Sequence, residues 1–354
     1  MGSEISKIYH QKRKFRFLIA GVLCAVLFAL VLYSFSLSTF PLTVEEAYTV
    51  IYNRIVGKVP VGYLEIMTDH IVIDLTLPRT VCAVFIGAAL AICGGIMQSM
   101  THNPLTDPYT MGISSAALFG VALAIALEIT IIPGLIGNDA IMANAFVFAL
   151  IPAILITIMT TFRNLSSTMM VLIGIGIMYM FTAFSTFIKI NAEAEKLEEI
   201  YEWSVGTLSG VDTSAVMPVF AVFLLMIIIA LGFAGKVNII SSGDQTARSL
   251  GENPVVIRII FFVMISVCVA VCVSFSGTIG FVGLVAPHIA RLFTGNNNKV
   301  MLPAAAIIGA LMMLSSDCIV RYLNMGLPVG VITALIGSPL FIYFLYRQRK
   351  SSTF

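Results

Sequence analysis

Ser241–Arg258 reads SSGDQTARSLGENPVVIR, and a long apolar segment lies on each side of it. The stretch carries Asp244, Arg248, Glu252 and Arg258. Gly251 can end a short helix and Pro254 can begin the next one. Between them Ala247–Gly251, ARSLG, is small, polar and helix-compatible. Such a helix in the loop of an apolar chain has two readings: a surface that docks another protein, or a connection with no partner.

The rest of the chain sets the surroundings of that loop. Of its 354 residues 59% are hydrophobic and 11% charged, against roughly a quarter charged in soluble domains, so it belongs in lipid. Net charge is only +2, which makes the placement of charge more informative than its sum. Cys24, Cys82, Cys93, Cys268, Cys272 and Cys318 lie in or beside apolar runs and read as small buried residues, with no disulfide framework or metal site among them. Basic residues precede the first apolar run, 17–40, but that run is too long for a signal peptide and is read as a membrane helix.

A spanning helix needs roughly 20 apolar residues. On that criterion the chain is expected to be an all-α membrane protein, one polytopic domain over 1–354. Spans are expected at 17–40, 79–100, 108–128, 140–162, 168–190, 214–235, 256–275, 278–290, 300–322 and 329–346. Residues 1–16 form the N-terminal segment and 236–258 the loop around the opening stretch. About ten crossings put both termini on one side. With the termini in the cytoplasm, 14 of the 20 basic residues fall inside with four acids, while 14 acids fall outside. That asymmetry orients the chain and makes the 236–258 loop cytoplasmic. Two outer segments are long: 41–74, with room for a short amphipathic helix, and 191–212, an acidic stretch beside the single tryptophan, Trp203.

No catalytic residues are expected. Gly232-Phe-Ala-Gly235-Lys236 has the wrong spacing for a phosphate-binding loop, so ATP phosphates are not expected to bind this chain. His10, His70, His102 and His288 are scattered, and no metal site is expected. Asp317 and Arg321 are four apart on one helix face and read either as an ion bridge or as an outer charge that receives a partner. Asn103-Pro104-Leu105-Thr106-Asp107-Pro108 reads as a tight turn, with Asp107 a candidate cap for the next helix. Gly280 and Gly283, followed by Pro287 and His288, form a glycine-spaced run suited to close helix approach. His288 reads as a local backbone cap.

Several runs occur together in a fixed order. They are Leu77-Pro-Arg-Thr80, Gly87-Ala-Ala-Leu90, Gly94-Gly95-Ile-Met-Gln98, Asn103-Pro104-Leu105 with Asp107-Pro108, and Met111-Gly-Ile-Ser-Ser115. Then come Ala247–Gly251, Gly280-Phe-Val-Gly283-Leu284 with Pro287, His288 and Arg291, Asp317 with Arg321, Leu327-Pro-Val-Gly-Val331, Thr333-Ala-Leu-Ile-Gly337 and Pro339. From about Leu77 to Tyr346 the set resembles the permease family of iron-siderophore, haem and vitamin B12 ABC importers, the FecCD-like transmembrane subunits.

The resemblance implies a ten-helix permease paired with a second permease subunit, identical or paralogous. Two cytoplasmic ATPases that bind ATP and Mg would sit below, and a substrate-binding protein would dock above. It implies that Ala247, Arg248, Ser249, Leu250 and Gly251 form the coupling helix, with Asn103 and Pro104 near it. Ser166, Ser167 and Thr168 match the cytoplasmic gate region. Arg321 matches a basic position that meets the binding protein, with Arg54 and Lys58 as helpers. Thr278 stands where relatives often carry Pro, Ala or Ser, and the stretch before Leu77 shows no clear match. The expected function is ATP-driven import of ferric siderophores across the bacterial cytoplasmic membrane, with haem or cobalamin as alternatives. An ion-driven secondary transporter would need intramembrane acids or matched broken helices. A membrane enzyme would need a His or acidic cluster at the interface. Neither feature is evident.

Overall fold

A computed structural model describes residues 2–37, 42–163 and 165–351, and every regular element in them is helical. In order these are α1 (Gly2–Ser34), α2 (Val44–Val56), α3 (Tyr63–Asp69), α4 (Leu77–Thr101), α5 (Ile113–Leu127), α6 (Gly137–Arg163) and α7 (Ser167–Ile190). There follow α8 (Ala194–Val205), α9 (Thr213–Ser241), α10 (Asp244–Ser249), α11 (Pro254–Ser276), α12 (Val282–Thr294), α13 (Asn298–Leu323) and α14 (Val329–Ser351). A π-helical segment, His70–Thr76, joins α3 to α4, and a 3-10 turn, Tyr109–Met111, precedes α5.

Among the described residues, seven helices are long and apolar enough to cross a membrane: α1, the continuous 63–101 helix, α6, α7, α9, α11 and α13. Three shorter apolar helices, α5, α12 and Val329–Phe344 of α14, complete the ten expected. Their boundaries differ from the sequence reading for local reasons. α1 ends at Ser34, and residues 38–40 of its expected span, with Pro41, lie outside the described residues. The 41–74 segment holds two helices and the π-helical run, which continues without a break into α4. The expected 108–128 span breaks at Gly112, whose φ of 86° ends the 3-10 turn, so α5 is only 15 residues long. The eighth span begins at Val282 because Gly277 and Phe281, both at positive φ, interrupt any earlier start.

α4 is the axis of the molecule: 83% of its apolar stretch is buried, against none of the corresponding stretch of α1. It packs most extensively against α13 and α9, then against α12 and α11. The close approach to α12 is set by composition. A Cβ on Gly94 would lie 1.8 Å from the carbonyl oxygen of Gly283, so only glycine lets these backbones touch. Gly280, three residues earlier, meets no such neighbour. Five of the six cysteines are buried within this packing; Cys24 instead lies on the exposed face of α1.

Polar clamps hold each end. At one end the Asp317 carboxylate, fully buried, pairs with Arg79 of α4 at 2.8 Å and Arg321 of α13 at 2.5 Å. Arg321 also donates to the carbonyl of Ser34 at 2.9 Å and to the Thr80 hydroxyl at 3.2 Å. At this end Asn144 of α6 accepts from the Ile131 amide and donates to the carbonyls of Gly120 and Ile129, which fixes the loop after α5. α8 carries the acidic stretch here, with Ile200 buried and Trp203 packed partly against the core.

Candidate coupling surface

The opposite end carries the opening stretch. α9 runs to Ser241 and α11 starts at Pro254, so the 236–258 loop shortens to 242–253 with α10 inside it. α10 starts at Asp244, three residues before the expected Ala247, because Asp244 places a carboxylate in the first turn, where the helix dipole favours it. Leu250 and Gly251 form its C-terminal turn, Gly251 at φ 80°. Asn253 caps α11 by accepting from the amides of Val255 and Val256, and Pro254 occupies the first turn. The result is a blunt tip. Ala247 is fully buried, while Arg248, Ser249, Leu250 and Gly251 are exposed.

The tip is anchored by a residue pair that spacing alone gives no reason to join. Arg258 of α11 is 1% exposed and grips both carboxylate oxygens of Asp244, one of these bonds at 2.9 Å. Its Nε donates to the Met100 carbonyl at the end of α4, at 3.0 Å. One guanidinium therefore ties α10, α11 and the axial helix together. Arg258 beside Asp244 holds that carboxyl below its usual range. Glu252 pairs with Lys236 at 3.2 Å and secures the other flank.

The turn after α4 lies against the same end. His102 contacts the Ile240 carbonyl at 2.7 Å, joining it to α9. Asn103 is half-buried and accepts from the Leu105 amide at 2.9 Å, while Pro104 is exposed. Both border a cavity of about 340 Å³, together with Ser241, His288, Arg291 and Asn296. Asp107 accepts from the Thr110 amide at 2.9 Å, so it caps the 3-10 turn and not the helix beyond it. Burial raises its carboxyl to about 6 despite that bond.

His288 is buried and its Nδ1 lies 2.8 Å from the Leu284 carbonyl, a local backbone contact one turn back. Pro287 is buried beside it. Gln98 donates to the same carbonyl at 3.1 Å and accepts from Arg291 at 2.5 Å, which locks α12 to α4. Asn238 of α9 accepts from the amide and side chain of Asn298 at 2.8 Å each. Asn298 in turn accepts from Ser99 at 3.0 Å. Ser166 caps α7 by accepting from the Met169 amide; Ser166 and Thr168 are exposed and Ser167 is half-buried. α7 packs against the 3-10 turn at Gly174, two turns beyond them.

The basic residues expected to face a binding protein sit at the Asp317 end and separate into two groups. Arg54 is exposed and lies 3.6 Å from Asp69, between α2 and α3. Lys58 is exposed and borders a cleft of about 460 Å³ with Glu45, Glu46 and Glu65. Arg321 differs from its expected setting. Its side chain is only 6% exposed and is spent on Asp317, Ser34 and Thr80, so it presents no free charge at the rim. Of its two sequence readings, the ion bridge describes its setting. At Thr278 the side chain explains the residue: its hydroxyl donates to the Ser204 carbonyl, a bond that neither Pro nor Ala could make.

The profile of the FecCD transport family matches residues 13–347, well before Leu77, where the sequence reading saw no correspondence. A Helicobacter pylori (strain J99) permease protein assigned to an iron chelatin transport system is 35% identical over 280 residues, 79% of this chain and 83% of the relative. The cobalamin import permease BtuC of Halobacterium salinarum is 34% identical over 284 residues, 79% of this chain and 74% of the relative. A solved inward-facing conformation of an ABC transporter assigned to the metal-chelate type superposes with a TM-score of 0.79 at 27% identity. It covers 93% of this chain and 99% of its own. The chain belongs to the FecCD transport family and is a multi-pass permease subunit of an ABC importer, with ATP hydrolysis assigned to a separate subunit.

Proposed function

We propose that the chain forms half of the membrane path for a ferric siderophore in the bacterial cytoplasmic membrane, with the Arg258 end in the cytoplasm. The exposed tip Arg248–Gly251, tethered through Arg258 to α4 and α11, carries the reading. A push on such a tip moves two core helices as one body. A flexible loop would absorb the same push in its own torsions. ATP and Mg would act on the partner ATPases, which seat on the tip and on Asn103–Pro104. Ser166, Ser167 and Thr168 would form part of the inner gate. A second permease subunit, identical or paralogous, would complete the path. An extracytoplasmic binding protein would deliver the cargo, with Arg54 and Lys58 as the exposed cations on that side.

Haem or cobalamin is the second cargo reading, favoured by one observation: the iron chelatin and cobalamin relatives are almost equally similar to this chain. Uptake of labelled ferric siderophores, haem and cobalamin in cells lacking and then regaining the chain separates these readings. Rescue of ferric siderophore uptake alone is expected. Rescue confined to haem or cobalamin would overturn the cargo assignment and leave the importer assignment standing.

A further inference from the structure

A groove of about 530 Å³ runs between α1 and α13, with α12 at its mouth. Arg16, Ile19, Ala20 and Leu23 of α1 line one wall. Lys299, Val300, Ala304 and Ile307 of α13 line the other. The cation comes first on each helix and the apolar residues follow over the next turns. The two helices leave the same end of the molecule, so both cations meet at one mouth and the apolar floor extends away from them. Among the described residues, Arg16 and Lys299 are the only charged ones in the lining. Neither has an ion pair with any described residue. The Arg16 guanidinium also lies over Gly295, where a Cβ would sit 3.8 Å from it.

We infer that this groove is a binding site for an anionic phospholipid, with its phosphate between Arg16 and Lys299 and an acyl chain along the wall from Leu23 to Ile307. The volume lies within the roughly 300–1,000 Å³ of small-molecule sites. A membrane-depth groove with an apolar floor disfavours an extended peptide, whose backbone groups would go unpaired there, whereas an acyl chain has none to satisfy. Two unpaired cations at its mouth match an anionic head group, in the way that basic pockets between membrane helices hold such lipids. The lipid has a structural role in this setting. α1 touches the body chiefly through α13, and the bound chain fills the space between them.

The test is native mass spectrometry of the importer complex extracted from membranes, reading phosphatidylglycerol and phosphatidylethanolamine carried through delipidation. Each cation is worth roughly fivefold in anionic-lipid affinity. Arg16→Gln with Lys299→Gln is therefore expected to lower retained phosphatidylglycerol by roughly 25-fold, with phosphatidylethanolamine unchanged. The charge-keeping pair Arg16→Lys with Lys299→Arg is expected to retain it, and Ala304→Trp, which fills the groove, to lose it. Unchanged phosphatidylglycerol in the Gln variant would overturn the proposal, as would equal loss in the charge-keeping pair. A changed oligomeric mass with lipid unaltered would do the same, since the groove would then be covered by a second copy of the chain.

Discussion

Arg258 and Asp244 are not equal partners, because Arg258 is 1% exposed and the Asp244 side chain 34%. Asp244→Ala leaves a buried guanidinium with only the Met100 carbonyl, a loss of about 3 kcal/mol. Arg258→Met leaves a carboxylate that water can reach and a side chain of similar volume, so it is expected to cost less. Thermal denaturation of the solubilised protein should order them wild type, Arg258→Met, Asp244→Ala; the reverse order would contradict the clamp. The Asp244 carboxyl is lowered in the folded state, so its contribution is present above the usual carboxylate range and is lost only as pH falls through the lowered value. Asp107 has the opposite sign. Its folded value of about 6 exceeds the unfolded one near 3.9, so stability falls as pH rises from about 4 to about 6 and is level above. Asp107→Asn keeps the acceptor for Thr110 and removes that slope. Its advantage over wild type should grow across this window to of order 2 kcal/mol, read as a rising gap in denaturation midpoint.

At the level of elements, hydropathy revealed the ten apolar segments because span length and apolar composition are both local. The break at Gly112 and the late start of α12 were hidden because a glycine or Phe281 at positive φ looks, in sequence, like any other apolar residue. The exposed tip was legible from Gly251 and Pro254, whose backbone preferences are intrinsic. Its anchor was not: Asp244 and Arg258 sit on different helices, and the third partner is a backbone carbonyl 158 residues away from Arg258. Which of the two readings of Arg321 describes its setting was hidden for the same reason. A charge near a helix end reads as exposed until Ser34 and Thr80 are seen to enclose it. The α4–α12 contact gives the sharpest expectation at this scale. Gly94→Val sets side-chain atoms against the Gly283 backbone, which has no rotamer with which to yield, at a cost above about 3 kcal/mol. Gly280→Val meets open space and should be mild. Monodisperse protein recovered after extraction distinguishes them; equal recovery of the two would mean that α4 and α12 are not in backbone contact.

For the molecule as a whole, family membership sets aside the secondary transporter and the membrane enzyme, for neither of which the sequence carries the required feature. What remains is how an exposed tip at one end and an acidic cleft at the other serve a single path. Clamps of different chemistry hold the two ends to the same axial helix: Asp317 through Arg79, and Arg258 through the Met100 carbonyl. In the proposed function, motion of α4 would be the mechanical link between them. The proposed entry point of force is Arg248–Gly251. Its most direct test is the assembled importer in proteoliposomes, with ATP hydrolysis and cargo uptake read together for wild type, Arg248→Glu and Gly251→Pro. Gly251 sits at φ 80°, which proline cannot adopt, so the second variant reshapes the tip without touching the core. Both variants are expected to insert normally while uptake per ATP hydrolysed falls at least roughly tenfold, the scale of a 1.4 kcal/mol loss of coupling. Uptake per ATP unchanged in both would contradict that entry point.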